Sequence, residues 1–439
     1  MATVPMDMIR DTQDALTGLG DLPHLRATVT SWCKDWPEGA GPCPLQAMLI
    51  TLGRIDTVNV AFGETAGDGA LVEVAHRIRH FANDELESSP WLAARVSGGA
   101  FMLVSRAESS NERWQWLAEA LADALAMPIA NAAGSGSLRL SPRIALMSAG
   151  EDDDVGSMLD RLSETAARMR KSPGRRISWS MGEAAQAGRS NIQLEADLLA
   201  AIDRQEIEIL FQPQYSLVDD RLIGAEALAR WHHPIVGRIG ASTLFQIAER
   251  ADHIAHLSRH IAVRAMEEAM QWPSDLRLSI NITPADLAVD NFAIELARLA
   301  ERVGFSLSRI TLEITEQVLL ADLDRVSRVL QQLKVLDARI ALDDFGAGFC
   351  NFRYLKVLPI DCIKLDRSMV DGVLEDERDR AVFRAIMGMA KALDLGVLVE
   401  GIETEEQRDF VAAEDCEYYQ GFLRAQPMAP HAFLNSAMR

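Results

Sequence analysis

From residue 207 onward, short runs of β-branched and apolar residues alternate with longer stretches whose apolar positions recur at helical spacing. The runs are IEILFQPQYSL (207–217), RLIGAEALARW (221–231), LRLSINIT (276–283), RITLEIT (309–315), ARIALDDF (338–345), DCIKLD (361–366), GVLVEGIE (396–403) and CEYYQGFL (416–423). Helical patterns such as VSRVLQQLKVL and RAVFRAIMGMAKAL fill most gaps after the second run, which is the signature of βα units and a parallel sheet. Eight strands within about 250 residues predict a TIM-like (β/α)8 barrel in an α/β protein. One joint differs. Only a short turn around VDDR separates the first two runs, too little chain for a parallel crossover, so this pair is predicted to be an antiparallel hairpin.

The N-terminal part offers apolar runs at LQAMLITLGRI, WLAARVSGGAFMLVS and LRLSPRIALMSA, with helical stretches at GALVEVAHRIRHFA and RWQWLAEALADALA. This alternation predicts an α/β or α+β domain of ordinary size. Residues 168–190, RMRKSPGRRISWSMGEAAQAGRS, mix basic residues, serines, glycines and a proline without a period, the composition of a connector, and place a boundary near residue 180. The expected organisation is a first domain over 1–172, a linker over 173–190 and the barrel over 191–439.

A length of 439 residues fits two to three domains. The formal net charge of −20 argues against broad attraction to duplex nucleic acid or an anionic membrane, so an anionic ligand would need local metal ions or arginines. The first residues have no signal-peptide apolar core, and no stretch reaches the length of a membrane span. Five cysteines form no C-x-x-C pair and, being odd in number, no disulfide framework. The expectation is a soluble, cytoplasmic protein with free thiols.

In a barrel of this kind the functional groups gather at the C-terminal ends of the strands. There the sequence supplies Gln212, Glu226, Asn281, Glu313, Asp343 with Asp344, Lys364, Glu400 and Gln420. Five carboxylates and an amide carbonyl at one mouth need compensating positive charge. An all-oxygen donor set without thiolate or histidine favours Mg2+ or Mn2+ over Zn2+. Two such ions would suit a phosphoryl transfer by clamping its attacking and leaving oxygens. The adjacent Asp343 and Asp344 pose their own problem, because neighbouring side chains of a regular strand point to opposite faces.

AEALARWHHP at 225–234 resembles the signature of the EAL-domain cyclic di-GMP phosphodiesterases, with Glu226, Ala227 and Leu228 at the naming tripeptide. FQPQYSL, SINIT, LEITE, DDFGAGF, LPIDCIKLD, VEGIE and YYQGFLRAQPM follow in the family's order from about residue 190 to the C-terminus. The resemblance implies hydrolysis of cyclic di-GMP to linear pGpG on a barrel with one reversed strand. It implies that Glu226, Asn281, Glu313 and Asp343 hold a first metal ion, and that Asp343 bridges to a second held with Asp344 and Glu400. Glu226, Glu400 and Lys364 are implied in catalysis, Lys364 beside the attacking water. Gln212, Arg230 and Gln420 are implied as contacts to substrate or its water network, Arg230 matching a phosphate with its planar fork.

Glu316 resembles the family's anchor for the loop after the paired aspartates. That loop departs from the family's DFGTGYSSL at Ala347, Phe349, Cys350 and Asn351, which bears on loop-linked dimer control and turnover rate but leaves the ligand set whole. Ala241 stands where a proline is usual, and Val399 where an alanine usually precedes the glutamate. The resemblance also implies a homodimer through the barrel.

DALTGLGDLPHLR (14–26), FGETAGDGALVEVAHRI (62–78) and ARVSGGAFMLV (94–104) resemble a GGDEF domain, the diguanylate cyclase fold. Ser97-Gly98-Gly99-Ala100-Phe101 stands at the naming motif, so Gly99 and Ala100 replace its two acids. Thr51 and Gly53 stand near the positions of the earlier metal-binding aspartates, and no R-x-x-D inhibitory site precedes the motif. The expectation is a degenerate domain without cyclase activity. As a GTP-binding activator, a dimerisation module or an inert scaffold, it keeps three readings, of which the lost acids disfavour GTP. For the barrel, the reading of another class is a catalytically silent cyclic di-GMP receptor or protein-interaction regulator. Silent relatives are expected to lose a metal acid or the lysine, and none is missing here.

Overall fold

The computed structural model describes residues 13–37, 41–53, 58, 63–87, 89–107, 109–130, 137–150, 153–170, 176–180, 191–315, 323–346 and 352–438. The chain forms two compact units, one of residues 1–194 with 232–243, the other of 195–231 with 244–439.

The first unit is built on β1 (Leu45–Gly53), β2 (Trp91–Ser97), β3 (Ala100–Arg106), the short pair β4 (Ile129–Ala130) and β5 (Ser137–Leu138), β6 (Ser141–Ser148) and β7 (Ile177–Trp179). Its main sheet has the order β2-β3-β1-β6-β7. Only β6 and β7 pair in parallel; the other neighbours are antiparallel. β1 is buried at nearly every position because helices cover both faces of the sheet, which erases the alternation an exposed face would leave. Those helices are α1 (Leu22–Lys34), α2 (Glu64–Glu85), α3 (Asn111–Ala126) and α4 (Val155–Arg170).

Trp114 and Trp116 on α3 are buried in the core, and the Trp114 indole donates to the Ala47 carbonyl at 3.3 Å. The apolar stretch 91–105 is a hairpin, broken where Gly98 takes φ +39°. β7 lies inside the stretch 173–190 expected to be a connector, since three residues are too few to show a period.

The same unit takes in residues 232–243. Arg113 donates to the carbonyls of Val236 and Arg238, Gly240 donates to Glu85 Oε1 at 3.1 Å, and Asp84 accepts from the amides of Ala241 and Ser242 at 3.1 and 2.9 Å.

The second unit is the barrel: β8 (Ile207–Ser216), β9 (Leu222–His233), β11 (Arg277–Ile282), β12 (Ile310–Thr315), β13 (Arg339–Phe345), β14 (Cys362–Leu365), β15 (Gly396–Val399) and β16 (Tyr418–Tyr419). A further strand, β10 (Gly237–Ile239), falls among the residues 232–243 that belong to the first unit. β8 pairs antiparallel with both β9 and β16 and closes the barrel, while β9 and β11 through β16 run parallel, so the one reversed strand is where the short turn predicts it. The helices begin with α5 (Asn191–Asp203) ahead of the barrel, then α6 (Ala241–Arg250), α7 (Ile254–Ala269), α8 (Pro284–Leu287) and α9 (Phe292–Val303). They continue with α10 (Leu323–Val335), α11 (Phe352–Val357), α12 (Glu377–Ala392), α13 (Glu405–Ala413) and α14 (Pro430–Ala437). The α/β class with a barrel of mixed strand direction stands. No helix among the described residues is long and apolar enough to cross a membrane.

Candidate functional site

The parallel register brings strand-end side chains together from neighbouring strands. Asn281 on β11 pairs in register with Glu313 on β12, and Thr315 at the end of β12 with Asp343 on β13. Ser279 pairs with Glu226 of β9, and Gln212 of the reversed β8 stands directly opposite Glu226. Directly opposed residues share a face, so Gln212 and Glu226 point the same way.

Lys364 of β14 lies at the centre. It is 1% exposed, and its ammonium is 2.7 Å from Glu313, 2.9 Å from Glu400, 3.0 Å from Asp343 and 3.1 Å from Glu226. Asn281 Nδ2 donates to Glu226 Oε1 at 2.9 Å. Gln420 Nε2 donates to Glu226 Oε2 at 3.0 Å and to Glu400 Oε1 at 2.9 Å. Gln214 Nε2 in turn donates to Gln420 Oε1 at 3.1 Å, which orients the amide. Sequence reasoning passed over Gln214, although alternation along FQPQYSL puts it on the same face as Gln212.

The cluster is short of positive charge. Burial pushes the Glu313 carboxyl well above its usual range, and repulsion from Glu226 and Asp343 adds to this against the pull of Lys364. Glu400 is also pushed well up, by burial first and by Asp343 and Glu226, with Lys364 opposing. Asp343 is raised by burial, again against Lys364. Glu226 is the exception: burial works to raise it, but Lys364, Gln420 and Asn281 outweigh burial and hold it below the usual carboxylate range. Lys364 itself is held far above the ordinary lysine range, because four carboxylates overcome its burial. One buried ammonium therefore serves four acids, three of them buried and Glu400 half-buried.

Glu313 Oε1 is buried with no hydrogen-bond partner, a costly state for a carboxylate oxygen unless a cation meets it. Ligand atoms of Glu226, Glu313 and Asp343 lie within 4.8 Å of one another, as do those of Asp343, Asp344 and Glu400. The two groups share Asp343. All donors are oxygens, so the residues present fit hard divalent ions. This buried acidic cluster is consistent with the metal site of the EAL family.

The paired aspartates are separated by the backbone. Asp344 takes the left-handed conformation, φ +55°, and the register between β13 and β14 shifts between Leu342 and Phe345. The turn is made at Asp344 itself, with Gly346 at φ +101° beyond it, and the Asp344 amide donates to Asp343 Oδ1 at 3.0 Å. A residue in this conformation leaves the strand's alternation, so both carboxylates reach the mouth, Asp343 buried and Asp344 exposed.

Arg230, four residues beyond Glu226 on β9, is buried and donates to the carbonyl of Ala229 at 2.9 Å. Glu316 and the variant loop positions Ala347, Phe349, Cys350 and Asn351 lie outside the described residues.

The comparisons with known proteins agree with this geometry. The family model described as EAL domain matches residues 195–427, and the one described as diguanylate cyclase, GGDEF domain, matches residues 12–176. An uncharacterized signaling protein of Caulobacter vibrioides is 32% identical over 416 residues, covering 94% of this chain and 50% of the relative. A cyclic di-GMP phosphodiesterase of Pseudomonas aeruginosa is 36% identical over 249 residues, 56% of this chain and 42% of the relative. The solved structure of the PaMucR phosphodiesterase in complex with c-di-GMP superposes with a TM-score of 0.52 at 30% identity, covering 55% of this chain and all of that one. This chain spans about half the length of the curated relatives it matches first. With a GGDEF domain ahead of a barrel matched over more than half its length, the chain belongs to the EAL domain family.

Proposed function

We propose that the barrel hydrolyses one phosphodiester of cyclic di-GMP to give linear pGpG, using two Mg2+ or Mn2+ ions. The observation that carries this reading is the ring of four carboxylates around the buried Lys364, with Glu313 Oε1 left without a partner. Glu226, Asn281, Glu313 and Asp343 would hold one ion, and Asp343, Asp344 and Glu400 the other. The ions would supply charge compensation and activation of the attacking water.

In this reading water adds to phosphorus, the bond to one 3′-oxygen breaks, and that oxygen leaves with a proton. Lys364, a fully charged donor, orients the water and keeps its lone pair toward phosphorus. Glu226 and Glu400 shape their side of the mouth, joined by the Gln420 amide. Arg230 offers its fork to a substrate phosphate, and Gln212 and Gln420 contact substrate or its water network. We further propose that the GGDEF domain is degenerate and forms no cyclic di-GMP, since Gly99, Ala100, Thr51 and Gly53 offer no carboxylate where metal-assisted attack would need one.

The deciding experiment incubates the purified chain with cyclic di-GMP and either Mg2+ or Mn2+, with chromatography of the products. Formation of pGpG is expected under at least one metal. No pGpG under either would sink the enzyme reading, and retained cyclic di-GMP binding in that case would leave the receptor reading.

A further inference from the structure

The barrel holds a cavity of 210 Å³ between α7 and α9, floored by β11. Ala262, Phe292 and Leu296 give it carbon walls, and Ile280 and Ile282 its floor. Ser258 and Asp286 bring polar groups to the interior of that lining. Ser258 is about nine-tenths buried, and its hydroxyl lies beside the Asp286 carboxyl without a hydrogen bond of normal geometry. Asp286 is 4% exposed, and its Oδ2 accepts from the Thr283 amide at 2.9 Å and hydroxyl at 2.6 Å, the capping box that starts α8.

A dry apolar hole of about 150 Å³ is already large enough to take up benzene, so this one has room for a single ring with a substituent. A buried hydroxyl without a well-aligned partner can take a better-placed one from a ligand in the cavity. We propose that this cavity binds a small neutral hydroxylated molecule of about one-ring size. A hydroxyl can donate toward Asp286 and accept from Ser258 at once, while the ring lies against Phe292, Leu296 and Ala262. The ligand is neutral because charge at the mouth is already balanced, Arg259 and Glu295 pairing there at 3.1 Å.

The test uses p-cresol as the probe with the full chain, followed by titration calorimetry. The expected result is binding with Kd below about 1 mM, as a ligand of this size allows. Ser258→Ala should weaken it roughly five-fold, the worth of one hydrogen bond. Toluene, which lacks the hydroxyl, should bind more weakly and be indifferent to that substitution. Ala262→Phe should fill the cavity and abolish binding; if that variant does not fold, Ser258→Ala decides alone. No binding up to about 10 mM, or binding unchanged by Ser258→Ala, overturns the site. Binding is read whether or not the barrel hydrolyses anything.

Discussion

Glu313 in the barrel and Glu85 in the first unit are both buried carboxylates, each with one oxygen that has no hydrogen-bond partner. Their surroundings differ. Glu313 shares its site with Lys364 and three further acids drawn from separate strands. Glu85 Oε1 accepts from the amide of Gly240, with Thr243 and Arg113 nearby and Asp84 as a repelling neighbour. An orphaned oxygen is thus common to both, and convergence of acids is not. The first can be met by a proton, because the Arg113 guanidinium beside Glu85 already donates to the carbonyls of Val236, Arg238 and Glu85. The second cannot, since protons on all its acids would leave the Lys364 ammonium buried without a counterion. What marks a functional site is the coherence of several groups that are each unfavourable alone.

The largest expected effect breaks that coherence. Glu226→Ala removes the acid that Lys364, Asn281 and Gln420 together keep ionised. Loss of outer partners of a metal ligand already lowers activity about 10–100-fold, so loss of a ligand should lower turnover by more than about 10³-fold. Turnover within tenfold of wild type, measured as pGpG release, would show that the cluster is not the reacting centre.

Much of this site was legible in the chain because strands buried on both faces read as short apolar runs, and polar residues ending such runs stand out against them. Glu226, Glu313, Asp343 and Glu400 were visible in that way. The reversed β8 was visible from the shortness of one turn. Less could be read where the period is too short or the cause is tertiary. β7 and β10 have three residues each and show no alternation. Gln214 matters only through its bond to Gln420, 206 positions away. Glycines follow the paired aspartates, yet the backbone already turns at Asp344, a residue type that tolerates the left-handed region. That Lys364 would be shared by four carboxylates was not written in any one motif.

A smaller effect follows from that turn. Asp344→Asn keeps a side chain suited to φ +55° but removes a charge from the group shared with Asp343 and Glu400. The fold should be spared, with the melting temperature within about 2 °C of wild type. Turnover at limiting Mn2+ should fall about 10–100-fold and recover in part at high Mn2+. Unchanged turnover at limiting metal would mean that Asp343 and Glu400 act without their exposed neighbour.

The smallest effect concerns Glu85. Burial first, then Asp84, pushes its carboxyl from 4.5 up to about 7, against Thr243, Arg113 and the Gly240 amide. In the folded unit it therefore holds its proton to higher pH than in the unfolded chain. Its stabilising contribution is complete below about pH 4.5 and is lost as pH rises through about 7. Glu85→Gln mimics the protonated form at every pH. At pH 5 the variant and wild type should melt close together, and at pH 8 the variant should melt higher, by several degrees if up to about 3 kcal/mol is at stake. Calorimetric scans at the two pH values check this. An equal gap at both would mean that Glu85 stays ionised in its pocket with a cation in attendance, and the contrast with Glu313 would then be one of degree rather than of kind.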